Sequence, residues 1–147
     1  APLGGVYQAG TLSGNAVAMA AGLATLRTLE REDGWRRLEG IGRKLEELLV
    51  PVLARAPYGA TFVREGSLFW ISLQDGPAPR SAEAIDSTAG ARYRPVFHAL
   101  LDSGIALAPS AFEAGFLSLA HTTAHLERLR DGLAAVFDGA AAVTGAA

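Results

Sequence analysis

The chain is 147 residues long, with 50% hydrophobic residues, 19% charged residues and a formal net charge of −2. That length suits one domain with a core of its own, and the composition is that of a folded chain. Near-neutrality removes the basic field of a nucleic-acid binder. The absence of cysteine removes disulfides and thiol catalysis, and no apolar run approaches the ~18 residues of a membrane span.

In chain order, Ala1–Gly14 is rich in glycine and reads as a loop leading into a helix, with Ser13 and Asn15 as N-cap types. From Ala16 to about Glu32 the residues are helical and small, which predicts a tightly packed helix. Gly34 breaks that pattern. A second helix is expected from about Trp35 to Ala54, with Leu38, Ile41, Leu45, Leu48, Leu49 and Val52 forming one apolar stripe and Pro51 kinking or ending it.

The period then changes. Ala60–Arg64 and Ser67–Gln74, separated by Glu65-Gly66, predict a hairpin. Asp75–Gly90 reads as a long loop with a helical turn around Ala82–Ile85. A third helix follows from about Ala91 to Ser103, with Gly104 where a C-terminal glycine cap belongs. Ile105–Ala108 and Gly115–Ala120 are predicted as short strands. Thr122 or Thr123 caps a last helix to about Phe137, and Gly139–Ala147 reads as a frayed tail. The order predicts an α+β fold with a mostly antiparallel sheet. The boundary of choice is Asp33-Gly34, dividing the chain into 1–33, 34–138 and a flexible 139–147.

Four places invite chemistry. Gly10-Thr11-Leu12-Ser13-Gly14-Asn15 runs into a helix, where backbone N–H groups and hydroxyls suit a phosphate, though capping and turn roles explain the same residues. It is no P-loop, because the Gly-Lys-Ser/Thr ending is missing. His121 and His125 stand four apart, but a metal needs a third ligand and none has a natural position. Glu113 is flanked by apolar residues in Ala111-Phe112-Glu113-Ala114-Gly115-Phe116. A carboxylate there is either functional or a solvated loop residue. Lys44 is the only lysine against twelve arginines, and it sits among Arg43, Glu46 and Glu47 on a charged helix face. A Schiff-base lysine needs desolvation or a cationic neighbour free of such acids, so Lys44 reads as a surface residue.

Two longer blocks carry a resemblance. Val6-Tyr7-Gln8-Ala9-Gly10-Thr11-Leu12-Ser13-Gly14-Asn15 continues through Ala18-Met19-Ala20-Ala21-Gly22. Ala108-Pro109-Ser110 is followed by Phe112-Glu113-Ala114-Gly115-Phe116 and Ser118-Leu119-Ala120-His121-Thr122, and Gly66-Ser67 and Phe69 echo a third block. These resemble the glutamate-1-semialdehyde 2,1-aminomutase family, within the class III aminotransferases of fold-type I pyridoxal phosphate (PLP) enzymes. The resemblance covers nearly the whole chain but only the C-terminal third of the family's length. It implies the last loop and helix of a large PLP domain followed by the C-terminal small domain of a fold-type I transferase.

The resemblance implies a cytoplasmic homodimer working on a small amino-aldehyde with PLP and pyridoxamine phosphate. Such an isomerase moves an amine within one molecule to give 5-aminolevulinate for tetrapyrrole synthesis. Gly10 and Thr11 would then reach across the dimer to the cofactor phosphate of the other subunit, and Glu113 would border the substrate pocket. The family's catalytic lysine lies upstream of the matched region, and Lys44 matches none of its motif positions, so the chain alone is expected to be inactive.

Ser118-Leu119-Ala120-His121 stands where transaminases that use 2-oxoglutarate resemble one another in Arg-Leu-Ala-Pro, whose arginine clamps a carboxylate. Departures from the family pattern are Ala16 for proline, Leu68 and Trp70 for methionine and glycine, Ala111 for glutamine, and Thr123-Ala124-His125 for an acidic helix start. They keep two alternatives in view: another class III aminotransferase or aminomutase, and a non-catalytic α+β interaction module.

Overall fold

The computed structural model describes residues 4–5 and 9–144. Val6-Tyr7-Gln8 of the opening motif, residues 1–3 and residues 145–147 lie outside the described residues. The chain divides into two compact units, Ala1–Trp35 and Arg36–Ala147.

The first unit is a turn and a helix. The Ser13 N–H donates to the Gly10 carbonyl and the Asn15 N–H to the Leu12 carbonyl, each at 3.0 Å. The Asn15 Oδ1 then accepts the Ala18 N–H at 3.0 Å, capping α1 (Ala16–Arg31) as its residue type predicts. The expected tight packing of α1 is not found: none of its residues is buried, and Val17, Met19, Leu23 and Leu26 are exposed. Small side chains permit close approach but cannot supply the element that approaches. The break after α1 is also differently made. Asp33, not Gly34, takes the left-handed backbone, with φ 53°. Gly34 is needed for space, since a Cβ there would lie 2.6 Å from Leu29 Cδ2.

The second unit holds the core. In α2 (Gly34–Leu53), Leu38, Leu45, Leu49 and Val52 are buried along the predicted stripe, and the helix ends two residues after Pro51. The hairpin follows as β1 (Thr61–Glu65) and β2 (Leu68–Ser72), paired antiparallel with Glu65 opposite Leu68. The turn residues are therefore Gly66 and Ser67, one position later than expected, because Gly66 supplies the positive φ of 58°. Gly42 lets α2 touch this turn, as a Cβ there would collide with the Gly66 carbonyl. Arg64, 14% exposed, locks the contact: its Nε reaches Glu46 at 3.0 Å and its Nη1 reaches Glu39 at 2.9 Å. The Arg64 hydrogen bond holds the Glu39 carboxyl below its ordinary range.

The long loop after β2 contains the predicted helical turn, Ala82–Ala84. It is anchored by buried Gln74, whose amide donates to the Ala84 carbonyl at 3.2 Å and accepts the Asp86 N–H at 3.0 Å. Next comes α3 (Ala89–Asp102). Its end is a Schellman cap: the Ile105 N–H bonds to Leu100 and the Gly104 N–H to Leu101, with Gly104 at φ 79°.

Two strand expectations need correction. Ile105–Ala108 is not a strand, and the expected strand over Gly115–Ala120 shrinks to β3 (Gly115–Phe116), which pairs antiparallel with β2. Backbone groups explain both. Ile105 spends its N–H on the cap, Ala108 gives its carbonyl to the Tyr93 hydroxyl, and Pro109 has no N–H. Past Phe116, the Leu117 N–H bonds to Ser67 and the chain turns away. The last helix, α4 (Thr123–Thr144), runs past the expected end at Phe137 and replaces the frayed tail as far as Thr144. Residues 140–142 are alanines, the best helix formers. Leu126, Leu129, Leu133 and Phe137 of α4 meet Leu45, Leu49, Phe69, Ile71 and Leu100 in one core. No helix among the described residues is long and apolar enough to cross a membrane.

β3 reaches β2 only because residue 115 lacks a side chain: a Cβ there would lie inside contact distance of the Phe69 ring. That ring is buried and stacked on Phe62 at 5.9 Å, so it cannot swing aside. Gly115→Ala is therefore expected to lower the unfolding free energy by about 1–3 kcal/mol, the usual range for overpacking. Urea unfolding checks this, and an unchanged midpoint would refute it.

Candidate functional site

Glu113 stands on an irregular segment between α3 and β3. Its turn is built on Ser110: the Glu113 N–H bonds to the Ser110 carbonyl and the Phe112 N–H to the Ser110 Oγ, both at 3.2 Å. The segment is held from two sides. The Tyr93 hydroxyl of α3 donates to the Ala108 carbonyl at 2.6 Å, and the Trp70 indole of β2 donates to the Ala111 carbonyl at 2.7 Å. These residues line a cavity of about 500 Å³ that also receives His121, His125 and Arg128. Arg128 itself donates to the Ser103 carbonyl at 2.6 Å.

Glu113 is exposed, so its carboxylate keeps its hydration while facing the cavity. Burial pushes the Tyr93 phenol above its ordinary pKa, and the negative charge of Glu113 pushes it further. The two side chains therefore sense each other across the cavity wall.

The two histidines act as backbone acceptors. His121 Nδ1 takes the Ser118 N–H at 3.0 Å, and His125 Nδ1 takes the Thr122 N–H at 3.1 Å, just ahead of α4. Accepting through Nδ1 leaves the ring proton of each on Nε2. His125 thus supplies the reciprocal bond of a capping box, from N3 back to the N-cap N–H of Thr122. Among the described residues, no group of three or more His, Asp or Glu side chains is placed to hold a metal. Lys44 is 48% exposed and lies 3.4 Å from Glu47, outside the Glu113 cavity.

Gly10 and Thr11 belong to the first unit, Glu113 to the second, and each is described within its own. Both Gly10 and Thr11 are exposed, and neither the Thr11 hydroxyl nor its N–H has a partner among the described residues. The first turn of α1 carries no acid. Free donors, a helix N-terminus and no competing carboxylate fit the phosphate of a cofactor.

No family model matches the chain. Among curated proteins, a glutamate-1-semialdehyde 2,1-aminomutase of Thermus thermophilus is 47% identical over 134 residues, covering 90% of this chain and 31% of that protein. The protein of the same name from Bdellovibrio bacteriovorus is 40% identical over 128 residues, covering 87% and 30%. Over about nine-tenths of its length, the chain is similar to part of these glutamate-1-semialdehyde 2,1-aminomutases. It spans about three-tenths of the length of the curated relatives it matches.

The fold agrees. An omega-transaminase from Sphaerobacter thermophilus superposes with a TM-score of 0.73 at 29% identity, over 90% of this chain and 30% of that one. A β-phenylalanine aminotransferase from Variovorax paradoxus gives 0.76 at 28%, over 95% and 32%. The α+β architecture is thus that of one portion of a transaminase fold. Sequence reasoning singled out Glu113 but missed Tyr93 as its neighbour. It noted Trp70 only as a departure from the family pattern. No local pattern signals a contact across 20 or 41 positions.

Removing the Glu113 charge relieves one of the two causes acting on Tyr93. Glu113→Gln should therefore bring Tyr93 ionisation to lower pH in an ultraviolet difference titration, with Tyr58 as the unmoved reference. An unmoved Tyr93 would place the carboxylate too far away to matter.

Proposed function

We propose that this chain is the C-terminal part of a PLP-dependent glutamate-1-semialdehyde 2,1-aminomutase, converting glutamate-1-semialdehyde to 5-aminolevulinate in a cytoplasmic homodimer. The 47% identity over 134 residues carries this reading. In it, residues 1–33 end the large PLP domain and residues 34–138 form the small domain. PLP, when bound, supplies the electron sink and carries the amino group. Thr11, with the N–H groups at Gly10 and Thr11, binds the cofactor phosphate of the partner subunit. Glu113 faces the substrate from the cavity wall, where its exposed carboxylate can accept a hydrogen bond from an ammonium group. Lys44 is half-exposed and paired with Glu47, so it lacks the desolvated, acid-free setting of a Schiff-base lysine, and another part of the full-length enzyme supplies that residue.

Ser118 favours the intramolecular reaction. It stands where the carboxylate-clamping arginine of 2-oxoglutarate transaminases is expected, and its Oγ lies 3.1 Å from His121 Nδ1 while accepting the Ala120 N–H. A hydroxyl so engaged offers no cation to a second substrate's carboxylate. Intermolecular transamination remains the second reading, because both solved relatives named above are transaminases. Assaying the full-length enzyme on glutamate-1-semialdehyde with and without 2-oxoglutarate separates the two. Formation of 5-aminolevulinate independent of 2-oxoglutarate is expected, and a strict requirement for it would overturn the first reading.

Two outcomes follow for the chain's own residues. Thr11→Ala should weaken cofactor retention in the full-length dimer by about tenfold, the scale of one hydrogen bond to a charged group. Equilibrium dialysis against PLP measures it, and unchanged retention would count against the phosphate role. The 147-residue chain alone should show no aminomutase turnover. Activity with a cofactor linked to Lys44 would sink that expectation.

A further inference from the structure

Consecutive residues of β2 hold both ends of the segment that carries Glu113. Phe69 pairs with Gly115 in the sheet register, and Trp70 donates its indole N–H to the Ala111 carbonyl at 2.7 Å. Strand alternation sends these two side chains to opposite faces. Phe69 enters the core, while Trp70 stays partly buried on the other side and lines the same cavity as Glu113. Only Phe112, Glu113 and Ala114 lie between the two fixed points.

Ala111 is itself buried, so its carbonyl has little access to water. A buried carbonyl without a donor is costly, and the indole is a donor only, so the bond has one direction. Removing the donor leaves the segment fixed at Gly115 but loose at Ala111, and Glu113 gains freedom to leave the cavity wall.

We propose that Trp70 is a positioning residue that fixes the Glu113 turn for substrate binding, an inference that rests on the reading of Glu113 as a substrate-facing carboxylate. Trp70 touches no reacting atom in this scheme; it acts through Glu113.

The test is a double-mutant cycle in the full-length PLP enzyme, with steady-state kinetics on glutamate-1-semialdehyde for wild type, Trp70→Phe, Glu113→Gln and the double variant. Phe keeps a ring and deletes the donor. Trp70→Phe should raise KM about fivefold with kcat within about twofold, and in the Glu113→Gln background should change KM by less than about 1.5-fold, because coupled residues are not additive. Equal KM changes in both backgrounds, or none from Trp70→Phe, would overturn the role of Trp70 and leave Glu113 intact. A Glu113→Gln enzyme with unchanged KM would overturn the reading of Glu113 and the proposal with it. Solvent exchange of the indole protons by nuclear magnetic resonance needs no substitution. The Trp70 proton should exchange at least about tenfold more slowly than that of Trp35, which is 57% exposed, and equal rates would remove the bond on which the proposal stands.

Discussion

Strand β2 has a different task on each face, and the rest of the second unit is arranged around it. Phe69, Ile71 and the following Leu73 point inward and are buried against α2, α3 and α4. Each such side chain contributes roughly 1.5–3 kcal/mol relative to exposure. The alternate positions Trp70, Ser72 and Gln74 face the other way, where Trp70 and Gln74 grip two irregular segments, one at the Glu113 turn and one in the long loop. A one-residue slip of register would exchange the two faces, removing core and site support together. The hairpin guards against that slip with Gly66 in its turn and with Arg64 tying β1 to Glu39 and Glu46 on α2.

The candidate site is irregular backbone held by side chains. From Ile105 to Ala114 the chain has no ladder partner, yet the groups that matter are satisfied: Ile105 by the helix cap, Ala108 by Tyr93, Ala111 by Trp70, and the Glu113 N–H by Ser110. Donors on regular elements fix a loop more tightly than the loop's own turns can, which is how a flexible-looking sequence presents one carboxylate at one place. His121 and His125 continue the pattern at the start of α4. There, imidazole nitrogens accept backbone N–H groups that an acidic side chain commonly takes.

The first unit is built on other terms. Its turn is closed by short local hydrogen bonds and its helix is capped by Asn15, but α1 buries nothing. A helix of 16 residues gains most of its stability from packing an apolar face. Val17, Met19, Leu23 and Leu26 have no such burial among the described residues. Thr11 lies in the turn before this helix, its hydroxyl and N–H without a partner among the described residues. The chemistry proposed for this chain is thus divided between an exposed phosphate turn and a cavity wall.

By itself the sequence determined what depends on neighbours a few positions apart. Leu38, Leu45, Leu49 and Val52 declared α2 by their spacing, Gly104 declared the end of α3, and Asn15 declared the start of α1. The two long motifs carried the resemblance to aminomutases. Ile105–Ala108 read falsely as a strand because an apolar run says nothing about where its N–H and carbonyl groups will find partners. Those partners were decided by the tertiary structure, through donors 15 and 41 positions away. The same holds for the site: Glu113 was visible in its motif, but its neighbour Tyr93 and its support Trp70 were not. Local spacing encodes which face of an element is apolar, whereas hydrogen bonds between distant segments exist only once the elements have packed.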